Sequence, residues 1–272
     1  MTEKIVGLDN PELNQEANDI WDRIAGPWDE DFGRDGNQHN AYITDPVTDR
    51  LLDLKQGETV LDIACGEGRY ARQMAEYGAN VVDVDQSAEF LNLARTNSKQ
   101  TGVDIDFKRV DATDFDQLIA LGDERFDAAN CTMGLMNVAS ITPLARAFPG
   151  LIKPGGRFVF FVAHPVFGRA SARRDIEGDH STGTSRHTIT SWDYLDANPD
   201  MGPSVRNQDE KQYFFDRPIG MLLNACFEHG LVMDRLEEPV FPDEAENPRP
   251  TGWANFKLIP FSMACRLRRI AV

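Results

Sequence analysis

The chain has 272 residues, 41% of them hydrophobic, with 44 acidic against 28 basic side chains and a formal net charge of −16. That length suits one sizeable α/β domain with an elaboration. The acidity disfavours a duplex nucleic acid as partner, because a negative surface repels phosphates.

Residues 1–55 are polar and acidic, with helical patches at 12–25 and 46–54; the first 60 residues hold five basic against fourteen acidic side chains. No signal-peptide pattern opens the sequence, and the longest apolar run, 158–163, is far too short to span a bilayer. A cytoplasmic protein without membrane contact is expected. From 57 to 165 the texture alternates. Strands are expected at 59–64, 80–84, 104–109, 126–131 and 156–163, with helices at 69–77, 87–98, 114–121 and 142–151 between them. This rhythm implies a parallel sheet covered on both faces. Pro154-Gly155-Gly156 should break the chain before the fifth strand. Residues 166–212 lose the rhythm and read as an inserted cap over the sheet's carboxyl edge, ordering over substrate with Trp192 or Tyr194 as its apolar wall. A helix at 217–229, a strand at 231–237 and a last strand at 261–267 complete a single domain over 1–272. Arg266, Arg268 and Arg269, at the end of that last strand, read as a solvated edge device.

The chemistry is concentrated in VLDIACGEGRYA, residues 60–71, and VVDVDQS, residues 81–87. An apolar strand runs into a glycine loop, a helix follows, and a second strand ends in an acid. Gly66 and Gly68 let the backbone turn tightly and approach a ligand. Asp85 stands where it can accept hydrogen bonds from two ribose hydroxyls, with Gln86 beside it. Capping of the next helix is the alternative role for Asp85, although Ser87 is the better N-cap. Asp62 lies in the first strand and is expected to brace the loop. Asp111 and Ala112 end the segment IDFKRVDA, where a third strand would meet an adenine; a turn acid is the alternative. The loop half-matches a dinucleotide fingerprint, but Ala71 occupies the place of its third glycine.

With FDAANCTMGLMNV and LIKPGGRFVFFVAHP following at the right spacings, the chain resembles the class I S-adenosylmethionine-dependent methyltransferases of the small-molecule kind. The resemblance runs from about residue 21 to the C-terminus. It implies a Rossmann-like three-layer sandwich with a seven-stranded, mostly parallel sheet and an antiparallel last strand. It implies S-adenosylmethionine as cofactor, held by Asp62, Ala64, Cys65, Gly66, Gly68, Asp85, Gln86, Asp111, Ala112 and Asn130, with His39 near its carboxylate. Ala64 stands where the family has glycine, and tolerance is expected. The expected reaction is methyl transfer to an O, N or C atom of a small molecule. An NAD-dependent oxidoreductase and a non-catalytic S-adenosylmethionine-binding module are the alternatives.

On the substrate side, His164 follows an apolar strand and could orient a substrate or accept a proton; bonding a neighbouring carbonyl is the structural alternative. Trp28, Tyr42, Tyr213 and Arg217 are the other candidates, and Trp21 is expected to help close the pocket. The four cysteines, Cys65, Cys131, Cys226 and Cys265, form no CxxC pair and no zinc-spaced cluster with histidine. Free thiols and no metal are expected.

Overall fold

In the computed structural model, residues 8–270 are described, apart from 34, 170–171, 180, 206–207 and 246. Short β-branched and aromatic runs form a seven-stranded sheet in the order β10-β11-β5-β4-β1-β2-β3. The parallel part comprises β1 (Thr59–Ile63), β2 (Asn80–Asp85), β3 (Asp106–Arg109), β4 (Phe126–Thr132) and β5 (Ile152–Ala163). Beyond it, β10 (Leu231–Glu237) and β11 (Ser262–Arg269) pair antiparallel, and β11 also runs antiparallel to β5. The chain moves outward from β1 to β3 and restarts on the other side of β1 with β4. A crevice for ligands therefore opens at the carboxyl ends of β1 and β4, where the direction of winding reverses.

Period-2 side-chain alternation builds two cores. β1 sends Leu61 and Ile63 to one face and Val60 to the other. The first face is covered by α6 (Thr142–Leu151) and α7 (Ile219–Phe227), through Leu144, Phe148 and Leu222, with α5 (Phe115–Ile119) alongside through Leu118. The second is covered by α2 (Asp45–Leu52) and α3 (Arg69–Tyr77), through Leu51, Tyr70 and Met74. α4 (Ala88–Thr101) starts at Ser87, whose hydroxyl accepts from the Phe90 amide as an N-cap.

Several local expectations are corrected. α1 (Asn14–Phe32) runs well past residue 25 and through Pro27. Stacking of Trp28 on Phe32 at 3.9 Å, and its edge contact with Phe90, carry the helix across the missing amide. Pro154-Gly155-Gly156 does not precede β5 but lies inside it: the pairing jumps from Phe126↔Ile152 to Ala128↔Arg157, so the three residues bulge out of the ladder. The arginines of β11 are no edge device, since β11 lies between β10 and β5. Arg266 and Arg268 pair with Asp234, and Arg269 with Glu124.

The segment expected as an irregular cap contains the hairpin β6 (Arg173–Asp179) with β7 (Thr184–Thr190), and β8 (Asp200–Gly202) pairs with β9 (Gln212–Phe214). Buried Arg169 holds part of it: its guanidinium donates to the carbonyls of Asp193, Tyr194 and Asp196. Trp192 is half exposed to solvent, and the Tyr194 hydroxyl accepts from the Ile219 amide. Neither residue borders the cavities described below.

Candidate functional site

Two adjoining cavities lie along the carboxyl edge of the sheet. The first, about 160 Å³, is bordered by Gly66, Asp85, Gln86, Val110, Asp111, Ala112 and Thr113. The second, about 410 Å³, is bordered by Asp62, Met136, Ala163, Phe214 and Phe261. Trp21, Trp28, Ala64, Cys65, Thr132, Met133 and Asn137 border both and form the junction.

The junction depends on close backbone approach. Ala64 has φ +54°, a left-handed conformation that costs a non-glycine residue on the order of 1 kcal/mol. Gly134 makes the room: a Cβ there would lie 2.8 Å from both the Ala64 Cβ and the Cys131 Sγ. The alanine that departs from the glycine of the family pattern is thus matched by a glycine on the neighbouring strand-end loop. Gly68, at φ +74°, starts α3, and a Cβ on it would press on Ala94 and on Asp83 Oδ2.

Asp85 ties the loop to the next helix. Its Oδ2 accepts from the Gly66 amide at 3.0 Å and its Oδ1 from the Ser87 amide at 2.8 Å. Burial raises its pKa to about 6 against the pull of those amides. Asp62 accepts from Asn130 Nδ2 at 2.7 Å, and burial raises it to about 7. Asp111 is held by α1: its Oδ2 accepts from Asn14 at 2.7 Å and Asn18 at 3.2 Å, while its Oδ1 accepts from the Thr113 amide and hydroxyl.

Of the sequence candidates, Ala64, Cys65, Gly66, Asp85, Gln86, Asp111 and Ala112 border the first cavity, and Asp62 borders the second. Gly68 and Asn130 border neither and stand behind the loop. His39 borders the second cavity and not the first, and Trp28 borders both. His164 is buried away from both. Its Nδ1 accepts from the amides of Val166 and Phe167, and its Nε2 meets Glu238 at 2.8 Å, so it fixes the turn after β5. Tyr42 is exposed, and the Tyr213 hydroxyl donates to Glu16 on α1. Arg217 is buried among backbone carbonyls. None of these four lines the cavities; Phe214 does. Sequence reasoning missed Asn14, Asn18 and Asn137. The i, i+4 spacing of the two asparagines on α1 was the available signal, but nothing in it pointed to a carboxylate 97 and 93 residues away. Among the described residues no group of three His, Cys, Asp or Glu side chains is placed to hold a metal ion, and no helix is long and apolar enough to cross a membrane. All four cysteines are free.

Asp83 was not singled out by its sequence. It is wholly buried on β2, no nitrogen or oxygen donor among the described residues reaches its carboxyl, and the Cys65 thiol lies beside it. Burial, then the charge of Asp62, raise its pKa far above the usual carboxylate range. A raised acid stabilises the fold fully below its unfolded pKa near 4, and that contribution is lost as pH rises towards its folded pKa. Asp83→Asn should therefore gain stability over the parent by about 1.4 kcal/mol per pH unit above pH ~4, until Asp83 ionises in the fold. Urea unfolding at pH 5 and pH 8 checks this; a pH-independent difference would mean that Asp83 is ionised and paired.

Residues 61–160 match the family described as a methyltransferase domain. The ubiquinone biosynthesis O-methyltransferase of Xanthomonas axonopodis pv. citri is 31% identical over 148 residues, covering 53% of this chain and 59% of that protein. The protein of the same name from Actinobacillus pleuropneumoniae is 28% identical over 153 residues, covering 54% and 64%. The chain thus matches less than two thirds of the length of these curated relatives. Among solved structures, an S-adenosylmethionine-dependent methyltransferase from Mesorhizobium loti superposes with a TM-score of 0.65 at 27% identity, over 87% of this chain and all of that one. The [4+2]-cyclase SpnF superposes with 0.61 at 17% identity, over 95% of this chain and 97% of that one, which is a likeness of fold alone.

Proposed function

We propose that the chain is a class I S-adenosylmethionine-dependent methyltransferase that transfers a methyl group to a nucleophilic O, N or C atom of a small molecule, a reading supported by the methyltransferase-domain match and the structural likeness to such enzymes. The observation that carries this reading is the pair of joined cavities, one bordered by Asp85, Gln86 and Asp111, the other largely apolar, meeting at Ala64 and Cys65. The cofactor is S-adenosylmethionine, which supplies an electrophilic methyl group on a sulfonium sulfur. The residues of the first cavity fit it. Asp85 would accept from the ribose hydroxyls with Gln86 beside it, and Asp111, Ala112 and Thr113 would border the base. The amide-rich loop at 64–66 faces the amino-acid end, with Asp62 behind it. Trp28 Nε1 and Asn137 Oδ1, buried at the junction without hydrogen-bond partners among the described residues, are a donor and an acceptor left for a ligand.

The chain's own contribution is positioning and exclusion of water. Trp21 and Trp28 from α1 close one side of the junction and Met133 the other. Residues 166–212 act as a cap, which brings Gly168, Pro203 and Ser204 to the second cavity. A cavity of this size and the net charge of −16 support a small acceptor over a nucleic acid. Four free thiols support a reducing, cytoplasmic setting.

Calorimetry tests the reading. S-adenosylmethionine and S-adenosylhomocysteine should both give binding heats, and NAD none of comparable strength. Tight NAD binding with no heat from either adenosyl compound would return the site to the oxidoreductases.

A further inference from the structure

Nothing so far says which part of the second cavity meets the acceptor, or what kind of molecule fits there. Its charged lining residues are already committed. Arg69 forms a two-pronged pair with Asp45, both contacts at 2.7 Å, and Glu67 pairs with Arg72 at 2.8 Å. Asp62 takes the Asn130 amide, and Asp216 lies 3.8 Å from Arg169. The remaining walls are mainly aromatic and thioether groups, with Phe32, Met136, Phe214 and Phe261 prominent. A charged acceptor entering here would give up water and find no unpaired counter-charge among the described residues.

His39 differs from the other polar lining residues. It precedes a π-helical turn, Asn40–Thr44, an arrangement that is rare and concentrated at functional sites. The wider turn brings Thr44 Oγ1, five residues on, to 3.0 Å from His39 Nδ1. The same hydroxyl donates to the His39 carbonyl at 3.4 Å. A threonine hydroxyl has one proton. With the Thr44 hydroxyl donating to the His39 carbonyl, Nδ1 carries the ring proton and donates to Thr44, and in that tautomer Nε2 is the bare acceptor. That Nε2 is buried and meets no hydrogen-bond partner among the described residues. Burial also holds the ring neutral, with its pKa down at about 4. The ring is steadied edge-on by Phe161 and Phe261. The other described cavity that His39 borders, beside Phe241, Trp253 and Ser262, has no room for a water molecule. Of the two described cavities beside His39, only the larger chamber has room for a ligand.

We propose that His39, set by Thr44 across the π-turn, positions the methyl acceptor: its Nε2 accepts a hydrogen bond from a hydroxyl on an uncharged, largely apolar molecule held in the second chamber. This rests on the methyl-transfer reading of the site. It moves His39 from the cofactor's carboxylate to the acceptor. It also places the polar end of the acceptor against α2's leading turn and its apolar body along Met136, Phe214 and Phe261.

The experiment uses the protein saturated with S-adenosylhomocysteine and titrates it with 2-naphthol, 2-methoxynaphthalene and 2-naphthoate. 2-Naphthol should bind about fivefold more tightly than the methoxy compound, which lacks the proton to donate, and the carboxylate should not bind. His39→Asn can keep the bond to Thr44 but does not reach the Nε2 position, and should erase the preference. His39→Gln places an amide near Nε2 and should restore much of it. Nitrogen-15 spectra of the histidine ring should report the Nδ1-protonated form in the free protein. A preference that survives His39→Asn, tight binding of 2-naphthoate, an Nε2-protonated ring, or no binding of any of the three compounds would each overturn the proposal. S-adenosylhomocysteine affinity is read in every titration series. Its absence in the parent protein would overturn the methyl-transfer reading instead, so the two failures are told apart.

Discussion

Replacing Asp85 with alanine should lower affinity for S-adenosylhomocysteine by at least tenfold at pH 7.5 while the protein stays folded. Two effects add. The carboxylate is the proposed acceptor for the ribose hydroxyls, and each charge-assisted bond is worth about 1.5–3 kcal/mol, where 1.4 kcal/mol is tenfold. It also holds the Gly66 and Ser87 amides, so its loss frees the loop from the start of α4. The fold should tolerate the change, because an acid raised to about 6 already weakens the free protein once ionised. Its stabilising contribution is complete below pH ~4 and is lost as pH rises through 6. Ligand binding has the opposite dependence, since the ribose is best held by the ionised form. Affinity in the parent should therefore climb as pH rises through about 6, and Asp85→Ala should flatten that climb. Calorimetric titrations between pH 5 and 8 read both. A folded variant with parental affinity would reduce Asp85 to a brace between loop and helix.

The parallel half of the fold was legible because β1, β2 and the body of β5 carry short runs of β-branched or aromatic residues, with amphipathic helical segments between the strands. α3 and α6 fall on their expected residues for that reason. Residues 152–156 were misread because Pro and Gly signal a break locally, whereas β4 and β11 hold the flanking segments in the sheet and the glycines only bulge. The first cavity was legible for a related reason: Ala64, Gly66, Asp85 and Asp111 stand at strand ends, and strand ends converge in a parallel sheet. The second cavity was not. Its walls come from α1, the π-turn, β9 and the loop before β11, segments far apart in sequence with no shared period. His164 was placed correctly at the end of β5, but Glu238 and two turn amides take both ring nitrogens. A strand-end histidine and a substrate-facing one have the same sequence; only the third-dimensional neighbours separate them.

Arg217→Met is the substitution expected to cost most stability. The sequence suggested a substrate-facing arginine, since it follows two aromatics ahead of a helix. Instead its guanidinium is buried and gathers carbonyls from three parts of the chain. Nε donates to Leu8 at 2.8 Å; the two terminal nitrogens donate to Leu135 and Phe215, and to Val138 and Ala139. Burial lowers its pKa to about 10, which still leaves it charged at neutral pH. Methionine fills similar volume but supplies no donor. Five carbonyls then lose a bond, and several have no other described partner, so the loss should be about 3–5 kcal/mol. Leu135 and Val138 belong to the segment that carries Met136 and Asn137 to the two cavities. Weaker S-adenosylhomocysteine binding should therefore accompany the loss of stability, although Arg217 touches neither cavity. Urea unfolding measures the first effect. For the second, adding saturating S-adenosylhomocysteine should raise the variant's unfolding midpoint by less than the parent's. A variant as stable as the parent would show that water replaces the guanidinium. A destabilised variant with an unchanged ligand-induced shift would show that the 135–138 segment keeps its place without the arginine.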